Sequence, residues 1–147
     1  MSPVSAGVGG PPVPLRSVLV VAYPADERAR LGRWLEEEGF EVMSCPGPRE
    51  PTVCPQIHGR SCPLSQAADV VVIDTQTEGD LVGVGPPGWV LVDSYLARGS
   101  KVVAICDPVE SLPVMSHAPV VMLSRPATHE GLAGAVRQAF RAPRPMG

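Results

Sequence analysis

Five short runs of aliphatic, mostly β-branched residues restrict the possible folds of this chain most. Continuous apolar runs of this kind are typical of parallel strands that are buried on both faces of a sheet. Helical patterns lie between several of the runs, and such alternation implies right-handed crossovers. The sequence therefore predicts an α/β fold, in which helices cover both faces of a five-stranded parallel sheet. The predicted strands are residues 17–22, 40–43, 69–73, 101–105 and 120–124.

The predicted helices are recognised by their ends and by the spacing of their apolar residues. Residues 26–38 and 89–98 are followed by Gly39 and Gly99, which suit the left-handed conformation just past a helix C-terminus. Thr128 is the predicted N-cap of the last helix. The apolar faces of the first and last helices consist of Leu31, Trp34 and Leu35, and of Leu132, Val136 and Phe140.

The chain has 147 residues, a length that favours one domain with a single hydrophobic core. Residues 1–15 are rich in Pro and Gly, which predicts a disordered leader. Residues 16–141 contain all the predicted strands and helices, and they form the predicted domain. Residues 142–147 are predicted to be a flexible tail.

The charge balance argues against nucleic acid and anionic membranes as partners. Lys plus Arg number 12 and Asp plus Glu number 15, so the net charge is −3 and provides no basic surface. Aromatic residues make up 4% of the chain, which is too few for base stacking. We find neither a run of about 18 to 20 apolar residues nor a secretory signal. We therefore expect a cytoplasmic location, in which the four cysteines would be thiols or metal ligands.

The candidate site lies where the strands end. Ligands and chemistry gather at the carboxyl ends of the strands in a doubly wound parallel sheet. Each of these ends is predicted from the residue at which an apolar run stops. The residues at these ends are Ala22, Tyr23, Ser44, Cys45, Asp74, Thr75, Cys106, Asp107, Ser124 and Arg125.

The order of these elements resembles the receiver domain of two-component response regulators. The likeness covers roughly residues 17–141, about the size of one such domain. The segment VLVVAYPADERARLGRWLEEEGFEV, residues 18–42, matches the first strand, first helix and second strand of the family without a gap. The resemblance implies a flavodoxin-like sheet with the strand order 2-1-3-4-5.

Three further motifs correspond to functional positions of the family. In DVVVID, Asp74 stands where the family carries its phospho-accepting aspartate. In KVVAICD, Cys106 stands where a Thr or Ser normally ends the fourth strand, and Asp107 follows it. In SRPATHEGL, Arg125 stands at the usual lysine of a Lys-Pro pair. The resemblance implies that these residues form the equivalent of the receiver active site.

The acidic metal pair of the family is missing from this chain. A receiver needs two adjacent carboxylates after its first strand to hold Mg²⁺, and Ala22 and Tyr23 occupy those positions. Without the metal, charge on a transferred phosphoryl group is poorly neutralised. We therefore expect that Asp74 is a strand-end carboxylate that caps a turn. The alternative is a phosphorylatable receiver, in which Asp26 or Asp107 lends a carboxylate from a shifted position.

The second and fourth helices of the family, which precede the third and fifth strands, are predicted to be shortened. The segment between the second and third strands is CPGPREPTVCPQIHGRSCPLSQ, which is rich in proline. The segment DPVESLPVMSHAP, residues 107–119, has room for at most one helical turn. The surface that switches in conventional receivers is therefore expected to be reduced.

The proline-rich segment also contains a group of possible metal ligands. Cys45, Cys54 and Cys62 are each followed by proline, and His58 lies among them. Cys-Pro dipeptides are similar to iron–sulfur loops and haem-responsive motifs, which use thiolate ligands. The spacings of nine and eight residues differ from the two-residue gaps of zinc sites, and a cysteine without a metal often packs as a small apolar residue. The sequence therefore assigns no cofactor, and Fe–S, haem or Zn binding stays an alternative.

We predict from these observations a receiver-like interaction module that is not an enzyme. The partner is expected to be a protein, with a homodimer as one option. The first alternative is a cysteine-based metal or redox sensor on the same scaffold. The second is a receiver that is phosphorylated at Asp74 through a rearranged metal site.

Overall fold

The five apolar runs form one all-parallel sheet in the computed structural model, which describes residues 16–22, 24–45, 63–75, 87–106 and 120–141. The strands are β1 Ser17–Val21, β2 Glu41–Cys45, β3 Val70–Asp74, β4 Lys101–Cys106 and β5 Val120–Ser124. The helices are α1 Ala25–Glu37, α2 Pro63–Ala67, α3 Pro87–Ala97 and α4 His129–Arg141. The predicted leader and tail, and the segment 107–119, lie outside the described residues.

The strands are arranged in the order β2-β1-β3-β4-β5, so the predicted order 2-1-3-4-5 is confirmed. Val18 of β1 pairs with Val42 of β2 on one side and with Val70 of β3 on the other. Asp74, the last residue of β3, pairs with Ile105 of β4. This register aligns the carboxyl ends of the strands at one edge of the sheet.

Alternate residues of the strands enter two separate apolar layers. Val18, Val20 and Ala22 are fully buried in the layer beneath α1 and α4. Leu19 and Val21 are fully buried in the opposite layer, beneath α3. Burying one such side chain contributes about 1.5–3 kcal/mol, so the two layers hold the sheet rigid.

Two glycines end helices as the sequence predicts. Gly39 has φ 93° and Gly99 has φ 83°, a left-handed conformation that side chains disfavour. The backbone N–H of Phe40 donates to Leu35 O at 3.1 Å and closes the end of α1. Phe40 therefore precedes β2, which begins at Glu41. The sequence had predicted that the strand begins at Phe40. The strand also continues two residues beyond the predicted end, because Cys45 O accepts from the N–H of Ala22 at 3.1 Å.

The first turn of α4 is capped as predicted. Thr128 Oγ1 accepts from the backbone N–H of Gly131 at 3.0 Å, which satisfies one of the donors that a helix start leaves open. At the other end of α4, Lys101 Nζ donates to Phe140 O at 2.9 Å. The helix that precedes β3 is α2, with five residues.

Candidate functional site

Asp74 and Arg125 form an ion pair at the carboxyl edge of the sheet. Arg125 Nη2 donates to Asp74 Oδ1. The Asp74 side chain is 10% exposed and the Arg125 side chain 21% exposed, so most of this contact is shielded from water. The sequence predicted both residues at one edge, and the structure brings them into contact.

Arg125 is positioned by the strand that it crosses. Its backbone N–H donates to Cys106 O at 3.0 Å, and its peptide bond to Pro126 is cis. Its Nη2 also donates to Ile105 O at 3.2 Å. Because the guanidinium is planar and has several donors in fixed directions, one group contacts both the end of β4 and the carboxylate of β3.

Thr75 shares the Ile105 carbonyl with Arg125. The backbone N–H and the Oγ1 hydroxyl of Thr75 donate to Ile105 O at 3.0 and 3.1 Å. Thr75 is 1% exposed, so these bonds are made away from water, where leaving a polar group unpaired is costly. Asp74 thus lies next to two residues, Arg125 and Thr75, that are both held by Ile105 O. Its role as a turn cap stays a prediction.

At the end of β1, Ala22 is contacted by the side chain of Arg28. Ala22 is fully buried, and its side chain belongs to the layer beneath α1 and α4. Its carbonyl oxygen accepts from Arg28 Nη1 of α1 at 2.8 Å. Tyr23, the other residue at the position of the acidic pair, lies outside the described residues. A guanidinium therefore contacts the backbone at the end of β1, next to the positions where a receiver carries its carboxylates.

The described residues do not fit a Mg²⁺ site. Mg²⁺ requires oxygen ligands in near-octahedral geometry and usually one or two carboxylates. Of the strand ends that the structure describes, only that of β3 carries a carboxylate, Asp74, and Arg125 is bound to it. No group of three His, Cys, Asp or Glu among the described residues could hold a metal ion. Asp107, the predicted alternative carboxylate, lies outside the described residues.

Cys45 and Cys106 point into the apolar layer beneath α3. Cys106 is 2% exposed, and Cys45 is partly buried against the same layer. They end β2 and β4, which β1 and β3 separate, so about 14 Å lies between them at the usual strand spacing. That distance excludes a disulfide between them, which needs Cα atoms within about 7 Å. Cys54, His58 and Cys62 lie outside the described residues, so the cysteine cluster stays a prediction.

A second polar cluster, which the sequence did not predict, joins α1 to α4. The Glu38 carboxylate accepts from Arg137, and its Oε2 lies 3.1 Å from His129 Nε2. These bonds, first to Arg137 and then to His129, lower the pKa of Glu38 below its usual value of 4.5. Trp34 stacks on the His129 ring, with 5.7 Å between centroids. His129 appeared isolated in sequence because Glu38 is 91 residues away.

The solved structures to which this chain is similar include several response-regulator receiver domains. Chemotaxis protein CheY4 of Vibrio cholerae matches with a TM-score of 0.61 and 14% identity, over 86% of this chain and 99% of that one. A receiver domain protein from Clostridium thermocellum matches with a TM-score of 0.64 and 18% identity, over 86% and 94% of the two chains. A receiver protein from Sinorhizobium medicae matches with a TM-score of 0.63 and 20% identity, over 87% and 96%.

These structural matches, at identities of 14–20%, establish the fold alone, and the predicted resemblance to receiver domains is confirmed at that level. No protein-family model and no curated protein matches the sequence. Within the described stretches, none of the helices is both long enough and apolar enough to cross a lipid bilayer.

Proposed function

We propose that this chain, which has the receiver fold, is a protein-interaction module whose Asp74 is not phosphorylated by the usual Mg²⁺-dependent reaction. The Asp74–Arg125 ion pair supports this proposal most directly. The Asp74 carboxylate would have to attack a phosphoryl donor, and it is already bound to the guanidinium of Arg125, which directly follows β5. The module would therefore act by binding a partner, in one stable arrangement of its carboxyl edge.

Charge at the carboxyl edge also disfavours phosphoryl transfer. In that reaction, metal ions neutralise the negative charge that develops on the phosphoryl oxygens. Arg28 lies at the carbonyl of Ala22, the position after β1 from which carboxylates would have to hold the metal. Like charges repel strongly in a partly buried site. Mg²⁺ would therefore have to enter beside a guanidinium and compete with Arg125 for Asp74.

The ion pair is costly to disrupt by removing one of its partners. Removing one partner of a buried ion pair typically costs about 3–5 kcal/mol, because the other charge is left without compensation. Arg125 binds Oδ1 of the carboxylate on which phosphorylation would depend. We propose that the pair instead links β3 to β5 permanently. The proposal includes a non-enzymatic role, since the fold alone confers no chemistry. It also includes a protein partner and a cytoplasmic location.

A Mg²⁺ titration followed by amide NMR tests the metal part of this proposal. We expect no saturable shift of the Asp74 and Thr75 amide signals in the native chain. The matched control is Asp74→Asn, which should respond to Mg²⁺ in the same way as the native chain. A saturable shift that Asp74→Asn abolishes would contradict the proposal, and would favour the alternative with a rearranged metal site.

A further inference from the structure

The outer edge of β2 is a surface that the Asp74 site does not use. β2 stands first in the sheet order and pairs with β1 alone among the described strands. Glu41 and Ser44 are exposed, and the other three residues of the strand are half-buried. Among the described residues this edge has no neighbouring strand, and such an edge offers backbone donors and acceptors to a further strand.

The hydrogen bonds to β1 show which backbone groups of β2 point outward. The N–H of Glu41 donates to Arg16 O at 2.9 Å, and Cys45 O accepts from the N–H of Ala22 at 3.1 Å. Both bonds point toward β1. Successive residues of a strand direct their backbone groups to opposite sides. Val42 and Ser44 therefore direct both their N–H and C=O groups to the open edge. This edge offers two donors and two acceptors.

A groove with a volume of about 360 Å³ runs beside this edge, between β2 and the outer side of α1. Val42 and Ser44 form its floor. Gly32 packs closely on the strand, since a Cβ atom there would lie 3.4 Å from Val42 Cγ1. The α1 side combines small and charged residues; it consists of Ala25, Arg28, Ala29, Gly32, Arg33 and Glu36.

We propose that this edge and groove form a homodimer contact, in which β2 strands of two copies pair antiparallel about a twofold axis at Met43. A twofold contact uses the same patch on both copies. With Met43 on the axis, Val42 lies opposite Ser44 of the second copy, and the two residues exchange both backbone hydrogen bonds. The symmetry repeats this pair, so all four outward groups are satisfied. The two sheets join into one.

Two charged residues of α1, Arg28 and Glu36, fit this arrangement. Because Gly32 packs on Val42, it lies close to the level of the axis. Two α1 helices would then run antiparallel, and the residue one turn before Gly32 would face the residue one turn after it in the second copy. Arg28 would face Glu36 of the second copy, and Glu36 would face Arg28. The small residues Ala29 and Gly32 allow the helix axes to approach to about 8–10 Å.

This dimer supplies a partner for the interaction module proposed above, and depends on that proposal only for its biological role. Its geometry involves neither Asp74 nor Arg125. Failure of the dimer would therefore leave the metal and phosphorylation tests unaffected, and a phosphorylated Asp74 would leave the dimer intact.

Sedimentation equilibrium of the full chain tests the contact. At about 100 µM we expect twice the chain mass for the native protein, and the monomer mass for Ser44→Pro. Proline removes the outward donor of Ser44 but no hydrogen bond to β1, and edge strands tolerate it there. We expect Glu36→Arg to weaken the dimer by about tenfold or more, through repulsion from Arg28. Glu130→Arg makes the same charge change on α4 and should have no effect.

A cross-link tests the position of the axis. Because the backbone groups of Met43 face β1, the two copies of Met43 on the axis would form a non-hydrogen-bonded pair with Cα atoms about 4.5 Å apart, which suits a disulfide. Mild oxidation of Met43→Cys should give a covalent dimer, whereas the native chain, oxidised in parallel, should not. A monomeric native chain at this concentration, a dimer that survives both Ser44→Pro and Glu36→Arg, or a dimer without the Met43→Cys cross-link would overturn the inference.

Discussion

The guanidinium of Arg125 reaches across β4 and binds the carboxylate of Asp74 at the end of β3. This contact joins the ends of two strands that do not pair with each other. Ile105 O, which lies between them, accepts a further bond from Arg125 at 3.2 Å. An ion pair therefore connects the strand ends at the carboxyl edge of the sheet, where a receiver has its metal site and its phosphorylated aspartate.

A double-mutant cycle should show strong coupling between these residues. Asp74→Asn and Arg125→Met should each lower the free energy of unfolding by about 2–3 kcal/mol, because each leaves a largely buried charge without its partner. The double variant should lose at least about 1 kcal/mol less than the sum of the single losses. Urea unfolding at neutral pH measures all four proteins. Strictly additive losses would mean that the ion pair contributes nothing.

The Glu38 cluster should make stability depend on acid pH. Its bonds to Arg137 and His129 lower the folded-state pKa of Glu38 below 4.5, so its contribution is fully present above that value and is lost as the pH falls through the folded-state pKa. Glu38→Gln should thus be less stable than the native chain at about pH 7, and the difference should shrink below about pH 4. Urea unfolding at both pH values measures this. A difference that stays constant would contradict the assignment.

Two glycines of α4 should respond oppositely to alanine. At Gly134 a Cβ would meet nothing within 4 Å, so Gly134→Ala should stabilise the protein by about 0.5–1 kcal/mol through helix propensity. At Gly131 a Cβ would lie 2.9 Å from Thr128 Oγ1 and 3.3 Å from Leu123 Cδ1, so alanine would disturb the N-cap. Gly131→Ala should lower the melting temperature, while Gly134→Ala should raise it. Equal changes would mean that the start of α4 packs differently.

The cysteine alternative makes a separate prediction. If Cys45, Cys54 and Cys62 hold a metal, anaerobically purified protein should contain about one metal ion or cluster per chain and absorb in the thiolate charge-transfer region. Cys54→Ser should remove that signal. Cys106→Ser should retain it, because Cys106 ends a different strand, about 14 Å from Cys45. Protein without metal and without a redox-dependent melting temperature would end this alternative.

The sequence predicted the sheet because apolar runs and helix ends are local signals. Gly39 and Thr128 end and begin helices through their own backbone and side-chain chemistry, and both predictions are confirmed. The edge at which Asp74 and Arg125 meet also followed from the alternation of strands and helices. The helix ends depend on neighbours within a few residues, and the shared edge depends on the order of the strands and helices.

The contacts between side chains could not be predicted in the same way. Arg28 lies in the first turn of α1, and its side chain reaches back to Ala22 O at 2.8 Å. Glu38 follows α1 and His129 begins α4, and the packing of these helices brings the two residues together from 91 residues apart. Such contacts depend on helix packing and on the reach of long side chains, which leave no periodic pattern in the sequence.

The central claim, that Asp74 is not a Mg²⁺-dependent phospho-acceptor, is tested most directly by intact-mass spectrometry. The native chain and Asp74→Asn are incubated with acetyl phosphate and Mg²⁺, beside a conventional receiver domain as the positive control. We expect phosphorylation of the control and an unchanged mass for the native chain. A phosphoryl adduct on the native chain that is absent from Asp74→Asn would contradict the claim.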